Sequence, residues 1–190
     1  MHLIEPFYHW LDLYNSETDA KSPLFDRHHS EVEFTHQIYN YLIHPQWDDI
    51  GSSTLFLRII YCDYAKSYCI IELLGEWNDA INNDIMLLKR DIIDELSLQG
   101  INHFILIGEN ILNFHYSDEC YYEEWFDDVN TNDGWIVFLN FRKHVLNEMQ
   151  KCNIDQYVGI GGKFDTLEWR TYNPNQLFKK INSMMNKRLN

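Results

Sequence analysis

Basic residues are scarce in this chain. Lys and Arg total 15 against 29 Asp and Glu in 190 residues, a formal net charge of −14. A field of that sign repels phosphate backbones and anionic lipid, which argues against nucleic-acid and membrane-surface binding and favours a basic protein surface as partner. Cysteine is also sparse. The 4 cysteines, Cys62, Cys69, Cys120 and Cys152, form no CxxC pair and no metal-finger spacing, so a thiolate metal site is not expected. No apolar run approaches the roughly 20 residues that a membrane helix needs. Met1–Trp10 alternates polar and apolar residues without the continuous hydrophobic core of a signal peptide, so a cytoplasmic location is expected. With only 8 Gly and 4 Pro there is no low-complexity tract and no linker that would split the chain. Strong catalytic motifs are missing too. No nucleophile elbow surrounds Ser117, and the cluster Gly159–Lys163 lacks the Ser or Thr and the following helix of a phosphate-binding loop.

What is present is a core. Hydrophobic residues make up 45% and aromatics 15% of the chain, which excludes disorder. Two parts are expected: residues 1–50 as an irregular and helical N-terminal extension packed on the rest, and 51–190 as a single α/β domain. In the extension, Phe7–Tyr14 reads as a short helix. Ser30 with Glu33 forms a capping box ahead of Phe34, Ile38, Tyr41 and Leu42 at helical spacing, and Pro45 ends that helix. Thr54–Tyr61 and Tyr68–Leu74 read as a hairpin, in which Cys62 and Cys69 face each other as free thiols. Asn78 caps a long helix that ends at Gly100, with the stripe Ile81, Ile85, Leu88, Ile92 and Leu96 inward and Lys89 and Arg90 on the wet side. Phe104–Ile107 and Trp135–Leu139 are short apolar runs of the kind buried on both faces of a sheet. Between them come a loop, Gly108–Ser117, and a helix, Ser117–Val129. Helices Arg142–Lys151 and Pro174–Met185 follow, with weaker strands at Tyr157–Ile160 and Thr166–Thr171. The resulting order, β-β-α-β-α-β-α-β-β-α, predicts an α/β fold: a layered sheet of mixed, largely parallel strands flanked by helices. Its core should include Ile71, Leu73, Ile85, Leu88, Ile92, Phe104, Leu106, Val137 and Leu139.

Three groups of residues could carry function. The helix after Ser117 sets Tyr121, Tyr122, Trp125, Phe126 and Val129 on one side and Glu119, Glu123, Glu124, Asp127 and Asp128 on the other. Acid beside aromatic suits a docking face, charge giving steering and rings giving contact energy. Second, Glu109, Asn113 and His115, with Asn140 and Arg142 from the neighbouring strand end, could line a pocket for acid–base chemistry. Third, Asp26 with His28, His29 and His36 is a weak metal set, because His28 and His29 are adjacent. No metal and no cofactor are expected. Asp63 and Glu72 stand on successive strands like the carboxylates of a two-metal nuclease, but Leu74 occupies the position where that arrangement needs a lysine.

The stretch Ile71-Glu-Leu-Leu-Gly-Glu-Trp-Asn-Asp-Ala80, the run Phe104–Ile107, and Val145–Met149 followed by Asn153–Tyr157 together resemble the STAS domain of the anti-sigma-factor antagonists. The likeness covers about residues 68–160. It implies a regulatory domain, non-catalytic, that binds another protein; independently of the resemblance, a homodimer of the chain is the other association to consider. It also implies a phosphorylation switch at a serine opening the second helix, the position of Ser117. The family's Asp-Ser-x-Gly signature is replaced here by His115-Tyr116-Ser117-Asp118, whose acids already occupy the helix start.

Overall fold

The computed structural model describes every residue except Met1, Glu31, Thr35, Leu189 and Asn190. A small sheet of three strands joins β1 (His2–Ile4), β2 (Gln37–Ile38) and β3 (Tyr41–Ile43) in the order β1-β3-β2. The main sheet has five strands in sequential order: β4 (Asp48–Asp49), β5 (Leu55–Asp63), β6 (Tyr68–Asn78), β7 (His103–His115) and β8 (Trp135–Leu139). The pairs β4–β5 and β5–β6 are antiparallel, while β6–β7 and β7–β8 are parallel. Helices follow β6 as α1 (Asp79–Asn82), α2 (Asp84–Leu88) and α3 (Asp94–Leu98), with a π-helical turn at Lys89–Ile93 between the last two. Then come α4 (Cys120–Asn130), α5 (Lys143–Lys151) and α6 (Pro174–Arg188). This is the mixed, helix-flanked α/β sheet that the sequence pattern predicts, and all nine expected core residues are buried.

Strand alternation divides the sheet into two apolar faces. Leu57, Ile59, Ile71, Leu73, Phe104, Leu106, Ile136 and Phe138 meet the helices after β6 together with α4 and α5. On the other face Tyr68, Ile70, Ile105, Ile107, Val137 and Leu139 meet Trp10, Trp169 and the Leu177 and Ile181 of α6. In the hairpin, Cys62 and Cys69 are register partners, with their free thiols 2.9 Å apart.

Several local expectations are corrected. The Ser30 hydroxyl does accept from Glu33 N at 2.9 Å, yet no helix follows among the described residues, Glu31 and Thr35 lying outside them. Ile38 and Ile43 are needed with Trp47 to cover Phe56, Leu74 and Leu112 at one end of the sheet. A tight turn with Tyr39 at φ 51° lets β2 and β3 do so, and β-branched and aromatic residues favour that outcome. Phe7–Tyr14 forms turns instead of a helix. Asn78 caps its helix, its side chain accepting from Ile81 N at 3.0 Å. That helix is broken, however, by Asn83 in a left-handed conformation, φ 54°. The break leaves Ile81 82% exposed. The π-turn then rotates the phase and buries Lys89, which helical spacing places outside. The loop expected at Gly108–Ser117 is instead the second half of β7, because β6 continues beside it as far as the pair Asn78↔His115. Of the two weak strands, Tyr157–Ile160 makes a single parallel bridge, Val137↔Gly159, and the other holds a 3-10 turn, Trp169–Thr171. Gly161 and Gly162, at φ 83° and 62°, turn the chain away from the sheet there.

The five residues of β8 pair with β7 only as far as Ile107, and among the described residues the far half of β7 has no strand neighbour on that side. Two side chains after β8 meet its carbonyls: Arg142 Nε donates to Glu109 O at 3.2 Å, and His144 Nε2 lies 2.7 Å from Leu112 O.

Candidate interaction face

Helix α4 is held on its inner side and on one flank, and its outer side is open. On its inner side the buried Tyr122 hydroxyl donates to Asp79 Oδ2 at 2.7 Å, and Asp79 Oδ1 accepts from Trp77 Nε1 and Ile85 N, each at 2.8 Å. Burial raises the Asp79 carboxyl to about 6, despite those donors. Trp125 packs edge-on against Phe104 with ring centroids 5.4 Å apart, and Val129 is buried beside it. On one flank the ammonium of Lys89, with a side chain only 1% exposed, binds Asp94, Glu124 at 3.3 Å and Asp128 at 2.8 Å. Arg90 grips both oxygens of Glu124, at 2.6 and 2.8 Å, and lies over the Tyr121 ring. That pairing holds Glu124 below the usual carboxylate range. Asp94, Glu124 and Asp128 are also the one group of carboxylates close enough to ligate a metal among the described residues, and Lys89 and Arg90 supply their counter-charge.

The outer side carries Glu119, Glu123 and Asp127, all exposed. They stand four residues apart, so the helix stacks them in one row. No Lys or Arg forms an ion pair with any of them among the described residues. Phe126 and Tyr157 border this row, with ring centroids 6.2 Å apart. The Tyr157 hydroxyl is pushed up by burial and then by the charges of Glu119, Glu123 and Asp127. The five carboxylates expected to act together therefore divide: Glu124 and Asp128 are internal ties, and Glu119, Glu123 and Asp127 face outward. Sequence spacing could not foresee Lys89, because only the π-turn brings it to the first pair, nor Tyr157, which reaches the face from beyond α5.

Ser117 is exposed and lies outside α4, whose first residue is Cys120; Asp118 Oδ1 accepts the Cys120 N–H at 3.0 Å.

The residues of the alternative pocket fall into two groups. Glu109 Oε1 accepts from Asn140 Nδ2 at 3.0 Å and Trp169 Nε1 at 2.9 Å, while Oε2 pairs with Arg170 at 2.6 Å. An open concavity of about 360 Å³ adjoins Glu109, Asn140 and Arg170. Further along β7, His115 pairs with Glu76 at 2.5 Å, and Tyr39 links Glu76 to Asn113. Six residues of strand, about 20 Å, separate Glu109 from His115. Behind Glu109 lies Glu72, on β6, a carboxylate missed as anything but a nuclease candidate. It accepts from Phe7 N at 2.9 Å and stands 3.9 Å from Arg170. Burial nonetheless raises it to about 7. Asp63 instead binds Lys66 at the hairpin tip.

The histidine set does not converge. Asp26 and His28 pair at 3.7 Å in solvent, while His29 bridges Glu17 and Asp48, each at 2.9 Å, in a buried network with Arg58. No helix among the described residues is long and apolar enough to cross a membrane.

No family model matches this chain, and no curated protein matches it. One similar solved structure is that of a "putative anti-sigma factor antagonist" from Thermotoga maritima. It is 15% identical with a TM-score of 0.41, covering 55% of this chain and 82% of that one.

Proposed function

We propose that this chain is a non-catalytic, regulatory protein-binding domain that docks a basic partner on the outer face of α4. The observation that carries this reading is the row Glu119, Glu123 and Asp127. Like charges four residues apart on a helix destabilise it by about 0.2–0.5 kcal/mol per pair. Two of the five acids on this helix are relieved by Lys89 and Arg90, and these three are not. A basic surface would relieve them, and the Phe126 and Tyr157 rings supply apolar contact beside the charge. A two-fold homodimer through this face would set the row against itself, so like-charge repulsion disfavours it. A phosphate on Ser117 would join Asp118 and Glu119 and add to the same repulsion. The rival reading, a small enzyme at Glu109 and His115, has less support, because those residues occupy separate clusters and both Glu109 oxygens are already engaged.

The test compares wild type with the triple variant Glu119→Lys, Glu123→Lys, Asp127→Lys. Exposed positions should tolerate the change, which circular dichroism checks. A partner purified by its affinity for wild type should lose the triple variant and should bind wild type more weakly as salt rises, as screening over about 8–10 Å requires. Equal binding of both proteins would move the interface elsewhere.

A further inference from the structure

On the opposite side of the charge balance stands one basic concavity. Open and about 810 Å³ in volume, it lies between the Gly161–Gly162 turn and α6, and Lys163, Lys180 and Lys187 line it. No residue of the lining is acidic, in a chain with 29 acids. All three lysines are exposed, and no carboxylate pairs with them among the described residues. Of the other described cations, Lys66, Lys89, Lys151, Arg27, Arg58, Arg90 and Arg170 each have an ion-pair partner, Lys21 lies over the Tyr64 ring and Arg142 on a backbone carbonyl, and Lys143 and Lys179 have no ion pair. The floor is apolar, with Ile160 and Met184. At the turn, a Cβ added to Gly162 would meet nothing within 4 Å, so the backbone there is open to approach.

We infer that this concavity binds a small organic anion, an apolar body bearing a phosphate or carboxylate group, with Lys163, Lys180 and Lys187 as the charge partners and Ile160 and Met184 as the apolar floor. An oxyanion bound among three lysines that lack a counter-charge gains charge-assisted hydrogen bonds and a favourable charge interaction. The volume falls within the roughly 300–1,000 Å³ range of small-molecule sites. The protein's overall field opposes the approach of an anion, so recognition rests on contacts made inside the concavity.

Calorimetric titration with naphthyl phosphate, naphthylacetate and neutral naphthol tests this on the full chain. At least one of the two anions should bind saturably at one site, and naphthol should bind far more weakly. Lys163→Gln with Lys180→Gln should weaken the anion by about tenfold or more, the scale of a lost hydrogen bond to a charged group. Ser183→Glu, which adds a carboxylate to the lining, should do the same in a protein whose thermal melt is unchanged. A preference for phosphate or for carboxylate identifies which oxyanion the site takes. The inference is overturned if neither anion saturates the protein by about 10 mM, if naphthol binds as tightly, or if both variants bind like wild type. It is equally overturned if polyglutamate binds there while the small anions do not, since the site would then belong to an acidic macromolecule.

Discussion

Glu72→Gln isolates the energetics of the buried carboxylate between the sheet and its N-terminal cover. The side chain is 2% exposed, and its folded value, about 7, stands above the ordinary 4.5. A carboxyl raised in the folded state favours folding while it stays protonated. Its contribution is complete below the unfolded value and is lost as pH rises through the folded one. The difference between 4.5 and about 7, at about 1.36 kcal/mol for each tenfold change in proton affinity, gives a loss of about 3 kcal/mol between pH 4.5 and 8, concentrated below pH 7. Wild type should therefore lose stability across that window by that amount more than Glu72→Gln does. Glutamine keeps an oxygen for the Phe7 N–H and carries no charge to bury. Urea denaturation followed by tryptophan fluorescence at several pH values measures the difference between the two curves. Parallel curves would refute the reasoning, since they would mean that Glu72 ionises in the folded protein as freely as in the unfolded one.

Leu106, fully buried in the half of β7 that pairs with β8, should cost roughly 2–5 kcal/mol on replacement by alanine; a loss below about 1 kcal/mol in denaturant melts would fall outside that range and contradict its place in the core. Lys89→Met keeps the stem but strands Asp94, Glu124 and Asp128 together. Because those carboxylates are 28–52% exposed, the loss should fall below the 3–5 kcal/mol of a fully buried pair, at about 1–3 kcal/mol. A melt unchanged by that substitution would show that the tie between α4 and the π-turn contributes nothing.

The sheet was largely legible in the sequence because its strands are short apolar runs with sharp boundaries, as in Phe104–Ile107 and Trp135–Leu139. β7 ran further than its pattern because Glu109, Asn110 and Asn113 look like loop residues, and what keeps them extended is β6, a neighbour that local periodicity cannot report. The capping box misled for a related reason. Its cap bond forms, but the need to cover Phe56, Leu74 and Leu112 outweighs a weak local helix preference. At the candidate face, the row of acids was visible from spacing alone. Which acids are internally matched depended on one left-handed residue, Asn83, and one π-turn, neither of which has a spacing signature.

The far half of β7 has a consequence for how this chain behaves among its own copies. A strand edge with open carbonyls is a template on which another extended segment can polymerise, and proteins survive such edges by blocking them. Here Arg142 and His144 act as gatekeepers, occupying the carbonyls of Glu109 and Leu112. Colloidal stability at this edge thus depends on the first turn of a helix rather than on a neighbouring strand. Fraying of α5 would unmask an aggregation seed well before the sheet itself came apart.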